Sequence, residues 1–333
     1  MFVLPTEVQL DVLKYLNFNQ LFSFKLTNFY FYNLINKYEG ELARMKLNTF
    51  YFINGNPALN LYDIIEPQSG IFELTLNDQL KNKWQEAIDR SIPLFLHEYK
   101  PDRTFVGIST VDKKRLLLKL PNCPKNIKEM IIVRYWVGRL LNCVYGQIHL
   151  ASIVFNPEII NILFDNKKTI PPQFHFESLF MDAENKIFEN VMKFVSNHLT
   201  ISKFLYISFY SFDITEQNTN ILFNILTNEG NKLPKIYLKS FKLARLYDLI
   251  MEYITTSINC SRMVPHIIFS FSTSASSRFK FSERAEKIEV VQLDKRKHTN
   301  YQIFNTYNPK VKFTFCNEEW NGGIHSCIHI KRM

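Results

Sequence analysis

No stretch of the 333 residues comes near the roughly 18 uninterrupted apolar side chains of a membrane-crossing helix, so no transmembrane helix is expected. The first residues show no basic region followed by an unbroken apolar core, because Glu7, Asp11 and Lys14 interrupt it; a secretory leader is not expected. Cysteine is scarce and scattered. Cys123, Cys143, Cys260, Cys316 and Cys327 are odd in number and contain no Cys-x-x-Cys, a pattern that predicts reduced thiols in an intracellular compartment rather than a disulfide framework. There is no Gly-x-Gly-x-x-Gly, no Gly-x-x-x-x-Gly-Lys and no Gly-x-Ser-x-Gly, so nothing points to a dinucleotide fold, a phosphate-cradling loop or a hydrolase elbow. With only 9 Gly and 13 Pro against 46% apolar residues, the composition is that of a folded chain.

What is present is led by phenylalanine and positive charge. The 30 Phe carry little functional weight, because Ile, Asn and Lys run high alongside them. The net charge of +9 is spread thinly; it suits acidic or phosphorylated partners, and no dense basic arm for nucleic acid accompanies it. Its tightest cluster, "DKRKH" from Asp294 to His298, reads as a solvated loop, with a phosphate-binding or nuclear-targeting patch as the alternative.

The N-terminal segment carries more apolar surface than it can hide. Phe18, Phe22, Phe24, Phe29, Tyr30, Phe31 and Tyr32 fall within one short stretch, and a segment of about forty residues has little interior. Either the rest of the chain covers this load or another protein does. Pro5-Thr6-Glu7 suits a helix start. In "TEVQLDVLKYL", Val8, Val12 and Tyr15 form one stripe, Leu10 and Leu13 form a second, and Leu16 stands at their boundary. A surface helix needs one stripe; two predict burial on two sides. Asn17 or Asn19 can cap a second helix over "QLFSFKL". Thr27 or Asn28 can cap a third, "NFYFYNLINKYEGELARMKL", with Gly40 as its weak point.

Leu-Pro-x-Glu-Val at residues 4–8, then "VLKYL" and "NQLFSFKLTNFYFYNLI", resemble an F-box, the module by which a substrate receptor joins the Skp-type adaptor of a cullin–RING ubiquitin ligase. The resemblance implies adaptor-facing roles for Leu4, Pro5, Glu7, Val8, Leu13, Leu16 and Leu21. Where the family carries a late Cys/Trp pair, this chain has Thr27, Asn28 and a run of aromatics, so its helix-three contacts differ.

Beyond residue 46 the period changes. "TFYFI" (49–53) and "IFELTL" (71–76) read as extended, residues 77–91 as a helix anchored by Trp84, and "IPLFLHEY" (92–99) as extended again. Short strands then open at residues 115, 147, 173, 204, 235 and 266, a spacing of about 31 residues, and each but the last precedes a helix-period stretch. Such a repeat predicts a parallel-strand solenoid or open α/β layer. The Leu-x-x-Leu-x-Leu consensus is absent, so the array is leucine-rich-repeat-like only. Past residue 270, "STSASSRFKFSERAEK" reads as a loop, "KIEVVQL" and "KVKFTF" as strands, and "GGIHSCIHI" as a closing strand that caps the array. The whole chain resembles nematode-expanded F-box proteins with an F-box-associated C-terminal domain. The expected fold is α/β: a three-helix F-box at residues 1–45, a linking α/β segment at 46–110, and at 111–333 a leucine-rich-repeat-like array of strand–helix units with a mostly parallel sheet.

Candidate chemistry is sparse. The tail "IHSCIHI" puts His325, Cys327 and His329 on one face if extended, with Cys316 or Glu318 as further zinc-type ligands. No tight spacing fixes a chelate, and an edge strand alternates in the same way, so no metal or other cofactor is expected. Asp165, Asp182, Asp213 and Glu216 fit capping and turns better than acid–base work. His149 and His175 on aligned strands fit shared packing, and Arg134 beside Tyr135-Trp136 fits the core. The expected protein is a non-catalytic substrate receptor of the cytoplasm or nucleus, bound to a Skp-type adaptor and through it to a cullin. Its target would dock on a strand-rich concave face carrying Lys119, His149, His175, Tyr206 and Lys239. The alternatives are a non-ligase interaction scaffold and, from another class, a metal- or nucleic-acid-dependent enzyme built on the tail.

Overall fold

The computed structural model describes residues 4–55, 57, 61–67, 76–97, 103–164, 172–183, 187–209, 214–240, 243–272, 284–294, 296–320 and 325–333. Most of "IFELTL", the loop after residue 272, Asp165 and Asp213 lie outside them. Three helices come first: α1 (Thr6–Lys14), α2 (Phe18–Lys25) and α3 (Phe29–Lys37). There follow β1 (Met45–Asn54), β2 (Asp63–Ile65), α4 (Asp78–Asp89), β3 (Phe95–His97), β4 (Thr104–Ser109), β5 (Arg115–Lys119) and α5 (Ile127–Leu141). Next are β6 (Cys143–Leu150), β7 (Ile153–Phe155), α6 (Pro157–Leu163), β8 (Phe174–Asp182), α7 (Phe188–His198), β9 (Leu199–Phe209) and α8 (Glu216–Asn228). The chain ends with β10 (Ile236–Ser240), α9 (Ala244–Thr256), β11 (His266–Ser272), β12 (Glu286–Leu293), β13 (Arg296–Phe304), β14 (Lys312–Trp320) and β15 (His325–Arg332). Among the described residues, no helix is long and apolar enough to cross a membrane.

Side-chain caps set the helix starts. Asn17 accepts from the Gln20 amide at 3.0 Å while the Gln20 side chain accepts from the Asn17 amide at 2.9 Å, a reciprocal capping box. Asn28, Asn77, Asn126 and Thr215 each accept from the amide three residues on. The third helix is shorter than the sequence pattern predicts. Tyr38 leaves helical geometry (φ −109°, ψ 18°), one 3-10 turn spans Glu39–Glu41, and β1 begins at Met45. Gly230, past the end of α8, is required by close approach: its amide donates to the Arg262 carbonyl at 2.8 Å, and a Cβ there would collide with the Arg262 and Met263 carbonyls.

The chain forms two compact units, Met1–Leu94 with Asp102–Gln147 and Glu158–Phe176, and Phe95–Pro101 with Ile148–Pro157 and Glu177–Met333. In the first, strands run in the order β6-β1-β4-β5-β2, with β1 antiparallel to β4, β4 antiparallel to β5, and β5 parallel to β2. The strand at residue 115 therefore does not neighbour the strand at 147, as an uninterrupted array would require; β1 and β4 lie between them. The core of this unit stacks Phe50, Tyr145 and Phe176, with ring centroids 5.1–5.8 Å apart.

In the second unit the order is β12-β13-β14-β15-β11-β10-β9-β8. β9, β10 and β11 are parallel, as strands joined by α8 and α9 crossovers must be. The chain then turns back: β15 pairs antiparallel with β11, and β14, β13 and β12 add in antiparallel succession. The sheet is mixed, where the repeat predicted a mostly parallel one, because these last strands are joined by short hairpin connections that cannot carry a crossover helix. The "DKRKH" cluster is not a solvated loop throughout. Asp294 turns with φ 51°, and Arg296, Lys297 and His298 open β13, with Lys297 3.6 Å from Glu319 across the ladder.

Asn305, 2% exposed, fastens the loop after β13 to the end of α9. Its amide nitrogen donates to the Ile254 and Ser257 carbonyls, both at 2.7 Å, and its oxygen accepts from the Tyr307 and Asn308 amides, both at 2.9 Å. Asn305→Ala strands these buried groups together and is expected to cost about 2–4 kcal/mol in urea unfolding.

Candidate functional site

The three N-terminal helices already possess a core. Leu10, Leu13, Leu21, Phe31, Leu34, Ile35 and Leu42 are buried against one another, with Leu16, Phe24 and Tyr38 packed at the margin. Of the two stripes on α1, Leu10 and Leu13 turn inward. Val8 and Val12 remain 42% and 43% exposed and Tyr15 91%. Leu4 continues that outer stripe, being also exposed four residues before Val8. Leu26, Phe29, Tyr30 and Tyr32 add exposed apolar surface at and before α3, with the Phe29 and Tyr32 rings stacked at 6.2 Å. The Tyr30 hydroxyl donates to Gln9 at 2.8 Å, and Gln9, buried, donates to the Leu4 carbonyl at 2.6 Å, so the Leu4-Pro5 entry is tied to α3.

Of the residues implied as adaptor-facing, Leu4, Pro5, Glu7 and Val8 are exposed, Leu16 is half-buried, and Leu13 and Leu21 form the interior. The last two shape the bundle that presents the surface; in this arrangement they have no outward face. Val12, Tyr15, Phe29 and Tyr32 are exposed apolar residues outside that set. The i, i+4, i+7 spacing of Val8, Val12 and Tyr15 was the available signal.

A second surface lies on the sheet of the second unit. The His149 ring stacks on Phe180 at 5.0 Å and 9°. Phe180 meets Phe204 at 5.4 Å and Tyr206 at 5.9 Å, and Tyr237 meets the same two rings at 5.5 Å and 6.3 Å. Lys235 holds its ammonium 4.5 Å over Tyr237, and Lys239, two residues along β10, projects to the same side. His149, Tyr206 and Lys239 thus share one aromatic, basic face, whose framework of Phe180, Phe204 and Tyr237 sequence reasoning missed. Lys119 and His175 belong to the first unit, where Lys119 is paired with Glu66 at 2.8 Å. Arg134 does make cation–π contacts, but with Trp84 and Phe164 at 5.8 and 5.4 Å; Tyr135 is exposed rather than core. Glu216 pairs with Arg245 at 2.6 Å, and Asp182 ends β8.

A third grouping joins β13, β14 and β15. His298, Cys316 and Glu318 offer ligand atoms within 4.8 Å of one another, and His329 Nε2 lies 3.4 Å from Glu318 Oε1. Burial, then the Glu318 carboxylate, pushes the Cys316 thiol up, and burial likewise raises Cys327. His266, beside His329, is lowered to about 4 by burial and then by Lys235, Lys331 and His329. The side chain of His325 lies outside the described residues.

With these surfaces in place, the comparisons bear on the first. Residues 1–40 match the family model of the F-box domain. The chain carries an F-box domain. Residues 65–210 match a second family model, described as Domain of unknown function (DUF8381), which ends with β9 and leaves α8 through β15 beyond it. No curated protein matches the chain. Among solved structures, the CcbJ methyltransferase from Streptomyces caelestis aligns with 60% of this chain and 75% of its own at 9% identity. Its TM-score of 0.13 carries no argument for fold or chemistry. The F-box match coincides with α1–α3, the part of the chain whose outer stripe is apolar and whose core is complete without it.

Proposed function

We propose that this protein is a non-catalytic substrate receptor of an SCF-type cullin–RING ubiquitin ligase. The observation that carries the reading is the F-box trio, fully cored yet bearing Leu4, Val8, Val12 and Tyr15 outside. An apolar surface left over after a bundle has satisfied its interior is the composition of an obligate interface. The adaptor, and through it a cullin, occupies that surface. Further along the chain, the target is held on the face of His149, Phe180, Tyr206, Tyr237 and Lys239. Its partly exposed rings supply anchors, and its lysines, within a chain of charge +9, favour acidic or phosphorylated partners. The strand–helix units serve as a leucine-rich-repeat-like platform for that face, in the manner of nematode-expanded F-box proteins. Catalysis belongs to the partners, and this chain raises the effective concentration of target at the ligase, in the cytoplasm or nucleus.

The test is reconstitution. The purified full chain, mixed with a Skp-type adaptor and then a cullin, is expected to co-elute as a stoichiometric ternary complex in size-exclusion chromatography. Adaptor binding that never admits the cullin would favour a non-ligase scaffold. No adaptor binding at all would overturn the reading.

A further inference from the structure

We propose that β13, β14 and β15 hold a zinc ion through His298, Cys316 and Glu318, with His329 closing the fourth position. The pairing registers bring these residues together from three strands. His298 stands opposite Glu318, Cys316 stands opposite His329, and Glu318 lies two residues along from Cys316 on the same face. His298 Nδ1 is 3.8 Å from Glu318 Oε1 and 3.8 Å from Cys316 Sγ, and His329 Nε2 is 3.4 Å from the same Glu318 oxygen. Zinc bonds to nitrogen, oxygen and sulfur run about 2.0–2.3 Å, so the edges of its tetrahedron measure about 3.3–3.8 Å. These three separations fall on or near those edges; His329 stands outside the trio whose ligand atoms all lie within 4.8 Å of one another, so its ring turns in to reach the ion.

The donor set selects the metal. One thiolate, imidazoles and a single carboxylate match zinc's borderline softness, whereas calcium and magnesium require oxygen shells. Shielding also fits: the side chains of His298, Glu318 and His329 are only 17%, 22% and 24% exposed. Cationic neighbours do not oppose the ion. Arg296 comes within 3.9 Å of the other Glu318 oxygen, and Lys235 and Lys331 act on His329. A divalent ion bound by one thiolate and one carboxylate is electrically neutral, so these cations meet no net positive charge. With His329 turned in, four protein ligands close the site, and its work is to cross-link the last strands of the sheet.

Elemental analysis of the full-length chain after dialysis against zinc-free buffer is expected to find one zinc per chain. Titration against a chromogenic chelator is expected to show affinity falling at least tenfold in Cys316→Ser and His298→Ala, and unchanged in Cys123→Ser, whose thiol lies in the other unit. Cobalt loaded into the unmodified chain is expected to give thiolate charge-transfer absorption, a readout that depends on no variant folding. Zinc bound equally well by Cys316→Ser, or a cobalt spectrum lacking the thiolate band, would overturn the site. Neither result bears on adaptor binding, which rests on the other end of the chain.

Discussion

Val8→Asp/Val12→Asp is expected to weaken binding to a Skp-type adaptor by at least about 100-fold while leaving the unfolding midpoint of the isolated chain nearly unchanged. Both valines lie on α1 and are more than two-fifths exposed, so neither contributes to the core that Leu10 and Leu13 build on the opposite side. Valine and aspartate have similar helix propensities, so α1 itself is little affected. In the complex the cost is large. Each buried valine contributes about 1.5 kcal/mol or more, and each aspartate adds the desolvation of a carboxylate with no partner. A loss of about 2.8 kcal/mol is already 100-fold. Leu13→Ala supplies the contrast: fully buried in the trio, it is expected to cost about 2–4 kcal/mol of stability, with adaptor binding of the folded fraction largely kept. Titration calorimetry and thermal unfolding of both variants separate the outer wall from the interior. Wild-type affinity in the double aspartate variant would mean that the adaptor does not use this stripe.

That contrast also marks how far the sequence could be read. The two stripes of α1 were legible from spacing alone, but which one faces inward depends on where α2 and α3 pack, and no local pattern carries that. Motif position therefore put Leu13 and Leu21 on the same footing as Leu4 and Val8, though the bundle encloses the first two and exposes the others. Caps were the most legible feature, because Asn17 and Asn28 act within three residues of themselves. Strand neighbours were the least. The repeat of about 31 residues correctly marks the β9, β10, β11 succession, since each crossover helix returns the chain to the next parallel position. It says nothing of β1 and β4, which lie between β6 and β5.

Register explains why the His/Cys/Glu grouping was only half visible. Alternation within the tail predicts that Cys327 and His329 share a face, and they do. Cys316 and Glu318 were also legible as nearby ligands, but His298, which completes the set, is brought opposite Glu318 by a hairpin whose first strand read as a solvated basic cluster. Sequence spacing cannot reveal a site assembled by antiparallel pairing; turn geometry fixes which residues meet.

Trp84→Ala is expected to be the most destabilising change in the first unit, lowering unfolding free energy by about 3–5 kcal/mol. The side chain is fully buried on α4, and its indole nitrogen donates to the Ile162 carbonyl at 3.1 Å, joining α4 to α6. Arg134 of α5 lies over the ring at 5.8 Å and donates to the neighbouring Leu163 carbonyl. Truncation thus opens a cavity, strips a carbonyl of its donor and removes the aromatic surface under a guanidinium whose pKa burial already lowers. Trp84→Phe keeps most of the ring and loses only the hydrogen bond, so about 1–2 kcal/mol is expected. Urea unfolding of the two variants divides the effect. If alanine cost no more than phenylalanine, the carbonyl contact rather than ring packing would be what joins α4 to α6.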